Sequence, residues 1–254
     1  MKCSISRMKL FKACRRAYYF KYIEDLEPVQ KSEALQTGSN YHEIIEYLYN
    51  NDGCFPNTDF TKENAMAHAY FKYIYPKVKI KFTESWAEKM IGKHVLIGRV
   101  DGITEDRCIV EHKTTSMEIA EDYEFNLQWD EQILAYMYLT GARKVYYTIC
   151  RKPTIRQRAK ESDEDFFKRM IEWYDVDTDS KIRLLEIYRT DEDIQQFVDD
   201  FCATCDKIES AKKNDMYMNT QYCNHWGRRC EYSGICLNYD PQCEYIDFVK
   251  GGRT

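Results

Sequence analysis

The chain has 254 residues, of which 44% are hydrophobic and 31% charged, the balance of a soluble globular protein with one large domain or two small ones and enough length to bury a core. A formal net charge of −5 gives no support to nucleic-acid binding by the surface as a whole, so any basic groove has to be local. The sequence has no run of 18 apolar residues and no unbroken apolar stretch near its start, which excludes a membrane span and implies an intracellular protein whose eleven cysteines are thiols or metal ligands rather than disulfides.

In chain order, Ser4 or Ser6 is placed to cap a helix running to about Ile23. Thr37 or Ser39 caps a second, NYHEIIEYLYN, in which Tyr41, Ile44, Ile45 and Leu48 recur at helical spacing. A third is expected over 61–75, ending before Pro76. The period then changes: residues 95–100 and 108–113 read as paired strands around the polar turn TEDR. EFNLQWDEQILAYMYLTG reads as one helix stopped by Gly141, and KVYYTICRK as a strand. Helices are expected over 163–174 and 191–212; from about 215 periodicity fades and cysteines take over. Strand, strand, helix, strand after several helices is a mixed α/β pattern.

The hairpin breaks its own pattern. Asp101, Glu111 and Lys113 stand where a core strand wants Val or Ile, and buried charges are costly unless paired or bound to metal. Strand alternation puts Glu111 and Lys113 on one face, with Asp101 able to lie across from them. Two carboxylates beside an ammonium suit Mg²⁺ or Mn²⁺ and chemistry on a phosphate. An exposed, salt-bridged hairpin explains the same residues. His42 and Glu46, one helical turn apart, read either as a fourth ligand beside the site or as a surface pair. Gln128, Gln132 and Tyr136 repeat every four residues, as the polar side of an amphipathic helix also would.

Taken in order, GSNYH (Gly38 to His42), GRVDG (Asp101), EHK (Glu111 to Lys113) and QILAY (Gln132 to Tyr136) resemble the PD-(D/E)XK nuclease superfamily, in particular its RecB-like, phage-exonuclease branch. The resemblance implies an α/β fold, a restriction-endonuclease-like core with a mixed central sheet flanked by helices, plus a helical N-terminal part and a cysteine-rich C-terminal segment. It implies Mg²⁺ or Mn²⁺ held by His42, Asp101, Glu111 and the backbone carbonyl of His112, with Lys113 positioning the attacking water and Gln132 and Tyr136 supporting the site or contacting the DNA strand. The activity implied is metal-dependent hydrolysis of DNA, as an exonuclease of phage or bacterial recombination and repair. Alternatives are a CRISPR-adaptation-type or structure-specific endonuclease, and a non-catalytic DNA-binding subunit. The setting would be the cytoplasm of a bacterium or a phage-infected cell, with a homo-oligomer or a recombination protein as partner besides DNA.

Near the end, CNHWGRRCEYSGIC spaces Cys223, Cys230 and Cys236 by six and five residues; near the start lies Cys14, read within a helix. Spacing alone leaves a [4Fe–4S] cluster and zinc both open. Some RecB-like nucleases hold a [4Fe–4S] cluster with one cysteine before the core and three after it, so the resemblance favours iron–sulfur on Cys14, Cys223, Cys230 and Cys236, with Cys243 a substitute ligand. Cys202 and Cys205 read as ordinary thiols. RKPTIRQRAK sets Arg151, Lys152, Arg156, Arg158 and Lys160 within ten residues without an acid, a phosphate-contacting arm or a solvated loop. We expect a single nuclease domain over 1–254, with a helical part to 92, a catalytic core over 93–190 and a C-terminal helix and clasp over 191–254.

Overall fold

The protein is described here by a computed structural model covering residues 1–29, 33–56, 59–225, 228–237 and 248–252. Strand β1 (Lys2–Ser4) leads into α1 (Ile5–Ala13), capped by Ser4, whose Oγ accepts from the Arg7 N–H at 3.3 Å. The helix expected to reach Ile23 breaks at Cys14, whose backbone is extended; α2 (Arg15–Tyr18) and a π-helical turn (Tyr19–Ile23) follow. Cys14 therefore stands between two helices rather than inside one. After β2 (Leu26–Pro28), helix α3 (Glu33–Asn50) starts a turn before Thr37. Thr37 is no cap, because Thr37, Tyr41, Ile45 and Leu48 form one buried stripe along the helix. Helix α4 (Lys62–Tyr73) falls within the span expected for the third helix, and Thr61 caps it.

Strand β3 (Ile80–Ile91) was not legible: its twelve residues carry Lys, Glu and Ser on both sides, and Glu84 sits at φ +45°. Strands β4 (His94–Thr104) and β5 (Ile109–Thr115) form the expected hairpin. The long helix expected next is two, α5 (Glu121–Leu127) and α6 (Glu131–Thr140). Asp130 divides them, since its Oδ1 accepts from the Gln132 N–H at 3.1 Å and starts α6 afresh. Gln128 therefore ends α5 and does not share a helix with Gln132 and Tyr136. Gly141, at φ +80°, closes α6. The chain continues through β6 (Lys144–Arg151), α7 (Asp163–Trp173), β7 (Ile182–Tyr188) and α8 (Asp191–Ser210). Short elements end it: α9 (Thr220–Cys223), β8 (Asn224–His225), β9 (Arg228–Arg229), α10 (Ser233–Leu237) and β10 (Phe248–Lys250).

Two compact units result. One comprises 1–32, 89–97 and 196–254, and in it β1 runs parallel to Val95–Ile97 while β10 pairs with β2. The other comprises 33–88 and 98–195. Its sheet is mixed: β4 is antiparallel to β5, β5 parallel to β6 and β6 antiparallel to β7, with β3 beside β4. Alternation sorts the strand residues between two cores. Val110 and Cys150 pack with Tyr41, Ile45, Met66 and Tyr70 of α3 and α4; Ile109, Val145, Tyr147 and Ile149 pack with Ile133, Tyr136 and Met137 of α6. Helices thus flank this mixed sheet, the α/β architecture expected.

Leu48 is fully buried whereas its neighbour Tyr47 is 40% exposed. Leu48→Ala should destabilise the protein by about 2–5 kcal/mol through reduced burial and a cavity, and Tyr47→Ala by about 0.5 kcal/mol or less. Urea unfolding of the two variants checks this.

Candidate active site

Residues 109, 111 and 113 of β5 point toward α6, and residue 112 points the other way. The His112 imidazole is accordingly buried, with Nδ1 2.6 Å from Thr148 Oγ1 and its ring edge-on to Tyr70. Its peptide faces the hairpin's charged end. The His112 N–H donates to Asp101 Oδ2 at 2.9 Å, and the His112 carbonyl lies 3.1 Å from His42 Nε2. The other ring nitrogen of His42, Nδ1, is 3.6 Å from Asp101 Oδ2. Burial pushes the imidazole of His42 down to about 4, so it is neutral at neutral pH and can donate from Nε2 while Nδ1 offers a lone pair.

Burial, and then the nearby charge of Glu111, push the Asp101 carboxyl well above the ordinary carboxylate range, against the help of the His112 N–H. Lys113 Nζ lies 2.8 Å from Glu111 Oε1, 3.3 Å from Asp130 Oδ2 and 3.3 Å from Gln132 Oε1. Its burial opposes the charge, but Glu111 and Asp130 outweigh it and hold the ammonium protonated. Gln132 Nε2 in turn donates to Tyr136 Oη at 2.8 Å, and Tyr147 Oη donates to Asp130 Oδ2 at 3.2 Å. Gly98 lets α6 come this close: a Cβ there would stand 3.0 Å from both the Tyr136 ring and Leu139.

The structure therefore brings together His42, Asp101, Glu111, Lys113, Gln132, Tyr136 and the His112 peptide. It adds two residues that sequence reasoning missed. Asp130 carried a readable signal, an Asp just before a helix. Glu84 carried none, since its strand was not recognised. Yet donor atoms of His42, Glu84 and Asp101 all lie within 4.8 Å of one another, whereas Glu111 turns Oε1 to Lys113. The two carboxylates suit Mg²⁺ or Mn²⁺, the imidazole being a better donor to Mn²⁺ than to Mg²⁺, and a bound cation would offset the burial and the neighbouring Glu111 charge that raise Asp101.

The basic segment divides. Arg151 stacks over the Trp173 ring, its Cζ 5.6 Å from the centroid, and Lys152 Nζ donates to the Ala34 carbonyl at 2.8 Å. Both are built into the protein, while Arg156, Arg158 and Lys160 are exposed.

In the other unit, Cys14, Cys230 and Cys236 share a core with Phe20, Leu26 and Tyr232. The Asn219 N–H donates to Cys14 Sγ at 3.5 Å, and Cys223 Sγ donates to the Asn219 carbonyl at 3.7 Å. Burial, with Cys230 and Cys14 nearby, pushes the Cys236 thiol up to about 11. Cys243 lies outside the described residues. Cys202 and Cys205 lie on α8, with Cys205 buried.

Comparison with known proteins bears on this geometry. No curated protein matches the chain. Among solved structures, a candidate exonuclease of Eubacterium rectale is 13% identical with a TM-score of 0.53, the alignment covering 87% of this chain and 85% of that one. A phage-related exonuclease of Haemophilus somnus is 17% identical with a TM-score of 0.38, covering 78% and 95%, and an alkaline exonuclease of Laribacter hongkongensis is 11% identical with a TM-score of 0.40, covering 82% and 88%. At these identities the first of the three speaks for the fold alone. The sequence itself says more: the family model of the PD-(D/E)XK nucleases matches residues 2–237, nearly the whole chain, and the protein belongs to the PD-(D/E)XK nuclease superfamily.

Proposed function

We propose that the protein is a Mg²⁺- or Mn²⁺-dependent deoxyribonuclease that degrades DNA from strand ends in phage or bacterial recombination and repair. One observation carries this reading above all: a half-buried ammonium, bracketed by Glu111, Asp130 and Gln132, stands beside a set of hard metal donors. His42, Asp101, Glu111 and the His112 carbonyl would hold the ion, with Glu84 as an added donor. The ion, when bound, makes water a better nucleophile at neutral pH and offsets charge gathering on the phosphoryl oxygens. Lys113 orients the attacking water and donates to the developing charge. Gln132 and Asp130 hold Lys113 in place, and Tyr136 holds Gln132. The exonuclease mode follows the sequence resemblance to the phage-exonuclease branch, and the structural relative of like fold also bears the name of an exonuclease.

Glu111→Gln and Lys113→Ala should each abolish cleavage of end-labelled DNA in Mg²⁺ or Mn²⁺ while leaving DNA binding measurable, and EDTA should stop the wild type. Full activity in either variant would remove the hairpin from the chemistry. Cleavage of closed circular DNA as fast as linear DNA would replace the exonuclease mode with an endonuclease one.

Arg156, Arg158 and Lys160 form the proposed arm to the DNA backbone, Arg151 and Lys152 being engaged within the protein. Replacing Arg156 and Arg158 together by Ala should lower the log–log salt slope of DNA binding by roughly 0.7–0.9 for each phosphate no longer neutralised. An unchanged slope in a filter-binding series would return the segment to a solvated loop.

A second reading concerns the cysteines. The family resemblance favours a resident [4Fe–4S] cluster of structural role, and the packing of Cys14, Cys230 and Cys236 in one core, with Cys223 joined to Cys14 through Asn219, is compatible with a shared metal site. Four thiols, buried or half-buried, fit such a group by their chemistry. Anaerobic protein should be brown with about four iron per chain. Cys14→Ser and Cys230→Ser should lose iron and soluble yield together, and Cys202→Ser neither. Bound zinc in place of iron would assign the thiols to the rival metal.

A further inference from the structure

Arg99 precedes Asp101 by two residues on β4, so both side chains leave the strand on the same face. Arg99 Nε lies 2.7 Å from Glu84 Oε2. The approach is close but off the line of the N–H, and that oxygen receives no directed hydrogen bond. The side chains differ in access: Glu84 is 15% exposed and Arg99 56% exposed. Glu84 is also one of the three residues whose donors converge with His42 and Asp101. One carboxylate therefore faces two cationic claims, a guanidinium from the solvent side and the divalent ion proposed above. A divalent ion at the three donors satisfies the Glu84 charge and weakens its hold on Arg99. A guanidinium released there, at the mouth of the site, matches a phosphate better than any other side chain, because its planar fork donates to two oxygens at once.

We propose that Arg99 is a substrate-binding residue exchanged from Glu84 to a phosphate of the DNA strand when a divalent ion binds the His42, Glu84 and Asp101 set. Metal occupancy then creates a phosphate interaction that the metal-free protein lacks. The proposal rests on the nuclease reading of this site. It predicts an order of events: ion first, then tight DNA.

Two measurements on the full chain test it, neither of them a cleavage rate. The first is fluorescence anisotropy of a short fluorescein-labelled single strand over a salt series, in Ca²⁺ or in EDTA, with gels confirming the strand intact. In Ca²⁺ the wild-type slope should be steeper than that of Arg99→Ala by about 0.7, the increment for one phosphate on a single strand. In EDTA the two slopes should coincide. Glu84→Gln should steepen the EDTA slope by the same increment, because Arg99 is no longer held. Equal effects of Arg99→Ala in Ca²⁺ and EDTA, or none in either, would overturn the exchange.

The second measurement is Mn²⁺ binding by electron paramagnetic resonance without DNA. Arg99→Ala should tighten Mn²⁺ several-fold in the wild-type background and not in Glu84→Gln. The same gain in both backgrounds would mean simple repulsion of the ion and would also overturn the proposal. Thermal unfolding of each variant separates these effects from misfolding, and should Glu84→Gln fail to fold, the Arg99→Ala slopes decide alone. Failure of the wild type to cleave any DNA would sink the nuclease reading while leaving the slope comparison intact, so the two failures are distinguishable.

Discussion

A half-buried ammonium held among oxygens is the interaction around which the candidate site is organised. Lys113 reaches Glu111 on its own strand, Asp130 at the head of α6 and Gln132, the second residue of that helix. These bonds tie β5 to α6, and they hold only because Gly98 leaves room for the Tyr136 ring. The charge cannot be removed cheaply. Deleting it would leave Glu111 and Asp130 without their cation in a region already crowded by Asp101 and Glu84, and an uncompensated buried charge costs roughly 3–5 kcal/mol. The same crowding makes the region an effective cation trap, because every carboxylate raises the energy of its neighbours until a positive charge arrives.

Much of this was legible in the sequence, and the reasons are local. Asp101, Glu111 and Lys113 stand out because an alternating strand cannot accommodate them as core. His42 stands out by its place beside a stripe ending at Leu48, and Gln132 and Tyr136 by their helical spacing. What was not legible depended on tertiary packing. Strand β3 has no clean alternation, because it is half exposed and bends at Glu84 with a left-handed backbone. Missing the strand meant missing Glu84 and its partner Arg99. β7 was missed because IRLLEIY mixes Arg183 and Glu186 with apolar residues and shows no clean alternation, although Asp-rich turns flank it. Cys14 has helical neighbours on both sides, so its own extended backbone has no local signature; its side chain packs in a core with Phe20, Leu26 and Tyr232.

The basic segment teaches the opposite lesson. Five cations without an acid look uniform in sequence, yet Arg151 lies on Trp173 and Lys152 caps the Ala34 carbonyl. Charge runs report potential, not assignment, because long basic side chains serve as easily as packing struts as they do as ligand-binding groups.

His112 has a consequence for anyone who would engineer this protein. Its peptide touches Asp101 and His42, while its imidazole is pinned between Thr148 and Tyr70 in the interior. The packing of the interior and the geometry of the candidate site therefore share one residue. A library that repacks the interior around Tyr70 for higher melting temperature would be selecting, in the same step, on the tilt of the peptide that contacts Asp101 and His42. The two cannot be varied independently at this position, and repacking the end of α7 carries the same cost, because Tyr174 lies in the same core as Tyr70.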